Sequence, residues 1–223
     1  MRGSVTVPAM SFTERRRKPR RPLTIDQLKG IANYLTYGRI AMVPLIVFCL
    51  MGINDFDSAR LWSNKFLSWV SMLLFVTAMV SDMIDGHYAR KYGVISSFGK
   101  FIDPLADKLL SMSVSIMLVA LLRVPAWIVI LLVCRDVTIT SLRSIAASEG
   151  LEISASDWGK KKTFAQSFAI SFLLVHYPLS NFNPGNVGMV LLWVTLLISI
   201  GSGMHYGTTF FREVMKQKTG ARQ

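Results

Sequence analysis

Charge is scarce in this chain: 17% of its 223 residues are Asp, Glu, Lys or Arg, against roughly 25% in an average soluble domain. With 52% hydrophobic residues and a mean hydropathy of +0.42, the balance is that of an integral membrane protein of one domain. Acids are scarcer still, 13 against 25 Lys and Arg, for a net charge of +12. That charge does not argue for nucleic acid. The basic residues interleave with apolar runs and no aromatic-basic recognition motif is present, so no nucleic-acid partner is expected. The two cysteines, Cys49 and Cys134, fall in apolar runs at no motif spacing and read as free core thiols. His87, His176 and His205 are isolated and read as interfacial or packing residues. There is no Ser-His-Asp set, Walker loop, dinucleotide fingerprint or solenoid repeat. The first 22 residues have no apolar stretch between their charges and do not read as a secretory signal.

What the chain has instead is long uncharged runs: Ile40–Asn54, Phe66–Ser81, Leu109–Leu122, Val124–Cys134, and Thr163–Phe211 divided by Asn181–Asn186. These predict an all-α integral membrane bundle of six transmembrane helices. The capping-box spacing Thr24-Ile-Asp-Gln27 predicts a short interfacial amphipathic helix before the first span. The first four runs are 11 to 16 residues long, whereas a spanning helix needs about 20, so each continues into charged sequence on one side. Those continuations carry Arg39, Asp82 and Asp85, Asp103 and Asp107, and Arg135. A charge at membrane depth faces a bundle interior or a wet cavity. Of the 25 Lys and Arg, only Arg60, Lys65 and Arg123 fall in loops on the opposite side. The positive-inside rule therefore puts both termini and the cavity in the cytoplasm of a multi-pass membrane protein, the expected membrane being a bacterial cytoplasmic one. The expected layout is a basic cytoplasmic tail over 1–22, a membrane domain over 23–215 and a cytoplasmic tail over 216–223.

The acids concentrate in one stretch. Asp82 and Asp85 are three apart and Asp103 and Asp107 four apart, so on helices each pair shares a face. Four carboxylates brought together repel unless protons, basic partners or cations neutralise them. Oxygen donors with no His or Cys nearby suit Mg²⁺ or Mn²⁺ rather than zinc. Taken alone, the acids could also pin two helices through Arg90, Lys91, Lys100 and Lys108, or form the ion path of a transporter.

The spacing D-x2-D-G-x2-A-R-x8-G-x3-D-x3-D is filled at every fixed position by Asp82, Asp85, Gly86, Ala89, Arg90, Gly99, Asp103 and Asp107. It resembles the signature of the CDP-alcohol phosphatidyltransferases. Asn33-x-Leu-Thr36-x-x-Arg39 resembles the element that opens this family's first span, with Ala32 where a Pro often stands. The resemblance implies a homodimer in the lipid bilayer that transfers a phosphatidyl group from CDP-diacylglycerol to a hydroxyl and releases CMP. It implies two divalent ions held by Asp82, Asp85, Asp103 and Asp107, with Asp107 as general base. It implies a CDP-diacylglycerol site formed by Thr36, Arg39, Asp82, Gly86, Ala89, Arg90 and Gly99, with the cytidine against the flat Gly86–Ala89 face.

Two later blocks, Arg135-Asp-x5-Ser-Leu-Arg143 and Gly159-Lys160-x-Lys162-Thr-x-x-Gln166, resemble one branch of that family, the phosphatidylglycerolphosphate synthases. They imply glycerol-3-phosphate as acceptor, its phosphate held by Arg135, Arg143, Lys160 and Lys162, as expected of guanidinium and ammonium groups gathered at a cavity mouth. Transferases to phosphatidylglycerol, inositol phosphate or serine share the Asp motif, so that motif alone does not fix the acceptor.

Overall fold

The computed structural model describes residues 25–92, 97–148, 157–178 and 181–220, and within them the side chains other than those at 25–35, 58, 84–92, 97–104, 147–148, 157, 160 and 213–220. Among the described residues there are six α-helices: α1 Ile25–Met51, α2 Leu61–Tyr92, α3 Ser97–Ala120, α4 Ala126–Ser148, α5 Asp157–Val175 and α6 Pro184–Gly220. A single 3-10 turn, Ser58–Arg60, precedes α2. The bulk of each apolar run lies in a helix that carries on into charged sequence. Leu61–Met83 and Pro184–Arg212 are long and apolar enough to cross a membrane.

One expectation is corrected. The residues assigned to a separate interfacial helix are, from Ile25 onward, the opening of a continuous 27-residue α1. Nothing between Gln27 and Thr36 stops a helix, since one interior glycine, Gly30, costs only about 1 kcal/mol.

Helix α1 packs against α2 and α3, α2 and α3 also touch α5, and α6 lies along α4 and α5. The shared core is aliphatic: Ile46 and Leu50 of α1, Phe75 of α2, Leu110, Val114 and Leu118 of α3, Ile128 and Leu132 of α4, and Ile170 and Leu173 of α5. The α5–α6 seam is the tightest, because a Cβ at Gly188 would come within 2.8 Å of Leu173 Cγ and 2.9 Å of Leu173 N. Outside, the pattern of a soluble protein is inverted. Phe48, Trp62, Phe66 and Leu197 are exposed while Arg39, Arg123 and Lys162 are buried. An apolar exterior around a charged interior marks a membrane-associated protein. Trp62, Trp69, Trp127, Trp158 and Trp193 are all exposed, as an aromatic belt requires. Cys49 and Cys134 are unpaired, but Cys134 is exposed on α4 and is not the core thiol expected.

One end of the bundle is held by Arg123, a residue expected only as an outward loop charge. Helix α3 stops in a Schellman turn: Leu122 takes the left-handed conformation (φ 56°), Leu122 N donates to Val119 O and Arg123 N to Leu118 O. This reversal turns Arg123 back beneath the bundle. Its Nε and Nη2 bond Asp55 at 3.0 and 3.2 Å, and Nη1 bonds Ser68 Oγ and the Leu174 carbonyl at 3.2 and 3.0 Å. Nη2 also meets Tyr177 Oη at 3.3 Å, and Tyr177 in turn donates to Asp55. The turns after α1, α3 and α5 are therefore fastened to one another. Burial raises the pKa of Asp55, but the bonds from Arg123 and Tyr177 and the guanidinium charge outweigh it and hold the carboxyl below its usual range. Burial and the bond to Asp55 push the Tyr177 phenol up to about 12. His176, which ends α5 at φ 54°, is pushed below the ordinary imidazole range by burial and then by Arg123.

Candidate active site

The chemistry-bearing residues gather at the other end. Asp82 lies 21 residues into α2 from its clasped start at Leu61, about 31 Å along the axis at the ~1.5 Å rise of a helix. There Arg39 of α1, 1% exposed, places Nη1 2.7 Å from Asp82 Oδ1. Thr36, one turn earlier on α1, is also buried. Asp107 of α3 stands close enough to Asp82 for the two charges to repel, with Arg39 and Lys162 acting in the opposite sense. Two neighbouring carboxylates from α2 and α3, with no sulfur or imidazole in the set, form a donor set that fits a hard divalent cation. Asp85, Gly86, Ala89 and Arg90 follow on α2, and Gly99 and Asp103 on α3, but their side chains lie outside the described residues. So does the Lys160 side chain. Among the described residues no group of three ligating side chains forms, since two of the four motif acids are not in that set.

Asp107 also borders a second region, a cavity of about 240 Å³ between α3, α4, α5 and α6, smaller than the roughly 300–1,000 Å³ of drug-sized sites and suited to a small polar molecule. Arg135, Arg143 and Lys162 line it, as does Lys108. Their arrangement is specific. Arg135 Nη1 bonds Asp136 Oδ1 at 3.0 Å and Arg135 Nη2 bonds Ser202 Oγ at 2.7 Å. Lys162, 2% exposed, donates to the other Asp136 oxygen. Lys108 donates to Thr140, whose hydroxyl bonds the Asp136 carbonyl at 2.7 Å. Arg143 lies over the Tyr206 ring at 5.9 Å. The structure thus brings Asp107, Arg135, Arg143 and Lys162 around one space, and Arg39 with Asp82 beside it.

Lys108 and Tyr206, which line the cavity, and Ser202, which holds Arg135 there, escape a reading of motifs. The signal for two of them lies in α6. Thr195, Ser199, Ser202 and Tyr206 recur at helical spacing in a long apolar run, and all are buried, so a polar stripe faces inward from an otherwise lipid-compatible helix. Tyr206 Oη and Arg135 Nε, both buried, meet no hydrogen-bond partner among the described residues. A buried donor without a partner costs about 1–3 kcal/mol, and two such donors at a polar cavity are offset when a ligand supplies acceptors.

Residues 29–201 match the CDP-alcohol phosphatidyltransferase family. A Bacillus subtilis (strain 168) protein named CDP-diacylglycerol–glycerol-3-phosphate 3-phosphatidyltransferase is 37% identical over 184 residues, spanning 79% of this chain and 93% of its own. A Rickettsia typhi protein of the same name is 36% identical over 180 residues, spanning 80% of this chain and 96% of its own. One from Mycoplasma pneumoniae, again so named, is 38% identical over 181 residues, spanning 75% and 79%. With the acid motif intact, the basic cavity beside it and this extent of likeness, the chain belongs to the CDP-alcohol phosphatidyltransferase family.

Proposed function

We propose that this protein transfers the phosphatidyl group of CDP-diacylglycerol to sn-glycerol-3-phosphate, forming phosphatidylglycerolphosphate and CMP. The observation that carries the acceptor is the cavity in which Lys108, Arg135, Arg143 and Lys162 surround a space bordered by Asp107. A dianionic acceptor balances that charge, whereas serine brings no dianion. The names of the relatives support the same choice.

In this reading Arg135, Arg143, Lys160 and Lys162 hold the acceptor's phosphate, which leaves its free hydroxyl toward Asp107. Asp107 takes the proton as the hydroxyl oxygen attacks the phosphorus that carries the lipid, and the bond from that phosphorus to CMP breaks. Thr36, Arg39 and Arg90 bind the diphosphate, and Gly86, Ala89 and Gly99 leave room for the nucleotide. Asp82, Asp85, Asp103 and Asp107 would hold two divalent ions, Mg²⁺ or Mn²⁺, which when bound neutralise the diphosphate and the departing CMP. Arg39 Nη1, 2.7 Å from Asp82 Oδ1, orients that carboxylate for the role.

The charged end is cytoplasmic in this reading, with both termini. The six helices span the membrane as a homodimer, and the lipid enters from the leaflet while the acceptor arrives from water. Purified protein given CDP-diacylglycerol and, separately, glycerol-3-phosphate, inositol phosphate, serine or phosphatidylglycerol should release CMP fastest with the first. Faster release with any other reassigns the acceptor.

A further inference from the structure

The cavity holds one feature that an anion site should avoid: a carboxylate in its wall. Asp136 lines the same space as Arg135, Arg143 and Lys162, with its side chain 19% exposed. If local charge alone governed binding, an acid there would repel the incoming phosphate and weaken the site. The geometry points to another use. One Asp136 oxygen engages Arg135 and the other engages Lys162, 26 residues away on α5. Arg135 is tied on its far side to Ser202 of α6. The Asp136 carbonyl fixes the Thr140 hydroxyl, which receives Lys108 of α3. The Asp136 carboxylate thus joins a guanidinium of α4 to an ammonium of α5, and Arg135 carries the link on to α6.

We propose that Asp136 is a positioning residue for the acceptor: it fixes the Arg135 guanidinium and the Lys162 ammonium in the one relative placement that meets a phosphate. This rests on the reading that the cavity takes the phosphate-bearing acceptor. Without the carboxylate, two long side chains of like charge in one small space turn apart, and each must be reordered when the anion binds. A planar guanidinium held at one edge also presents its remaining N–H groups in a fixed direction. The acid therefore lowers the charge of the site and raises its order.

These two effects have opposite signs in one measurement. Asp136→Asn keeps the shape and removes the charge. Positioning predicts a KM for glycerol-3-phosphate raised about tenfold, with the KM for CDP-diacylglycerol within about twofold of wild type and kcat less affected than the acceptor KM. An effect of charge alone predicts a lower acceptor KM, and a role in folding alone predicts equal damage to both substrates; either result overturns the proposal. Asp136→Glu restores the charge but shifts it by one methylene, and should recover only part of the acceptor KM. Full recovery by Glu would show that the exact placement of the carboxylate does not matter and would overturn the proposal. Should Asp136→Asn not purify folded, the Glu variant carries the test by the same split between the two KM values. The wild type run beside them separates this from the reading beneath it: preference for another acceptor sinks the assignment of glycerol-3-phosphate, whereas a wild type that prefers it and an Asp136→Asn enzyme with unchanged acceptor KM sinks the positioning role only.

Discussion

Replacing Lys162 by Met tests the basic cavity directly. The side chain is 2% exposed, and Met keeps most of its unbranched length, so α5 loses a charge without gaining a large void. What disappears is one ammonium beside the bound phosphate. A hydrogen bond to a charged group contributes about 1.5–3 kcal/mol, which corresponds to a roughly 10- to 150-fold rise in acceptor KM. The cost to the fold should be smaller than the 3–5 kcal/mol of a stranded buried charge, because Asp136 keeps Arg135 at 3.0 Å; about 1–2 kcal/mol is expected. CMP release measured while each substrate is varied in turn gives the two KM values, and a thermal melt in detergent gives the stability. A variant that folds normally and shows equal KM increases for glycerol-3-phosphate and CDP-diacylglycerol, or none, would refute the assignment of this cavity to the acceptor.

Asp82→Asn, Asp85→Asn and Asp103→Asn should each nearly abolish turnover in protein that still purifies folded, and a chelator should stop CMP release until Mg²⁺ or Mn²⁺ is returned; near-wild-type rates in any of these conditions would remove the metal site. Arg123→Met should cost about 2–4 kcal/mol of stability, less than a fully stranded ion because Asp55 can reach water, and adding Asp55→Leu should restore much of the loss; a melting curve unchanged by Arg123→Met would show that the clasp is not a structural tie. His176 and Asp55 both have lowered pKa values in the folded state, so each contributes stability above its ordinary range that is lost as pH falls through the folded value. The melting temperature should therefore decline below about pH 6.5 and again below about pH 4, and His176→Asn, which tolerates the left-handed backbone, should flatten the upper step; a profile identical to wild type would exclude His176 as its cause.

The acid motif was legible because the chemistry requires particular residues at particular helical spacings, and Asp82 stands within electrostatic reach of Asp107. The apolar runs located all six helices for the same kind of reason, since burial of a continuous face is a local pattern. Pairings between distant turns were not legible. Tyr177 and Asp55 are 122 residues apart, and in sequence Arg123 looks like any loop arginine; only the Schellman turn at Leu122 sends it inward. Nor could the sequence show that Asp136 joins Arg135 to Lys162 while Arg143 lies over Tyr206. Tyr206 passed as part of an apolar span, although the buried hydroxyls one and two turns before it carried the signal.

The Arg123 clasp makes the six helices levers with a common fulcrum. With the turns after α1, α3 and α5 fastened, relative motion is greatest where the fastening is farthest, and that is where Arg39, Asp82 and Asp107 stand. Over the ~31 Å from Leu61 to Asp82, a tilt of about 2° moves a carboxylate by about 1 Å, a displacement large enough to cost on the order of a hundredfold in rate. If lipid enters between helices at that end, as in the proposed reading, the spread that admits it and the closure that aligns it are the two ends of one swing. A loosened fulcrum would then register at the phosphorus before it registered as unfolding.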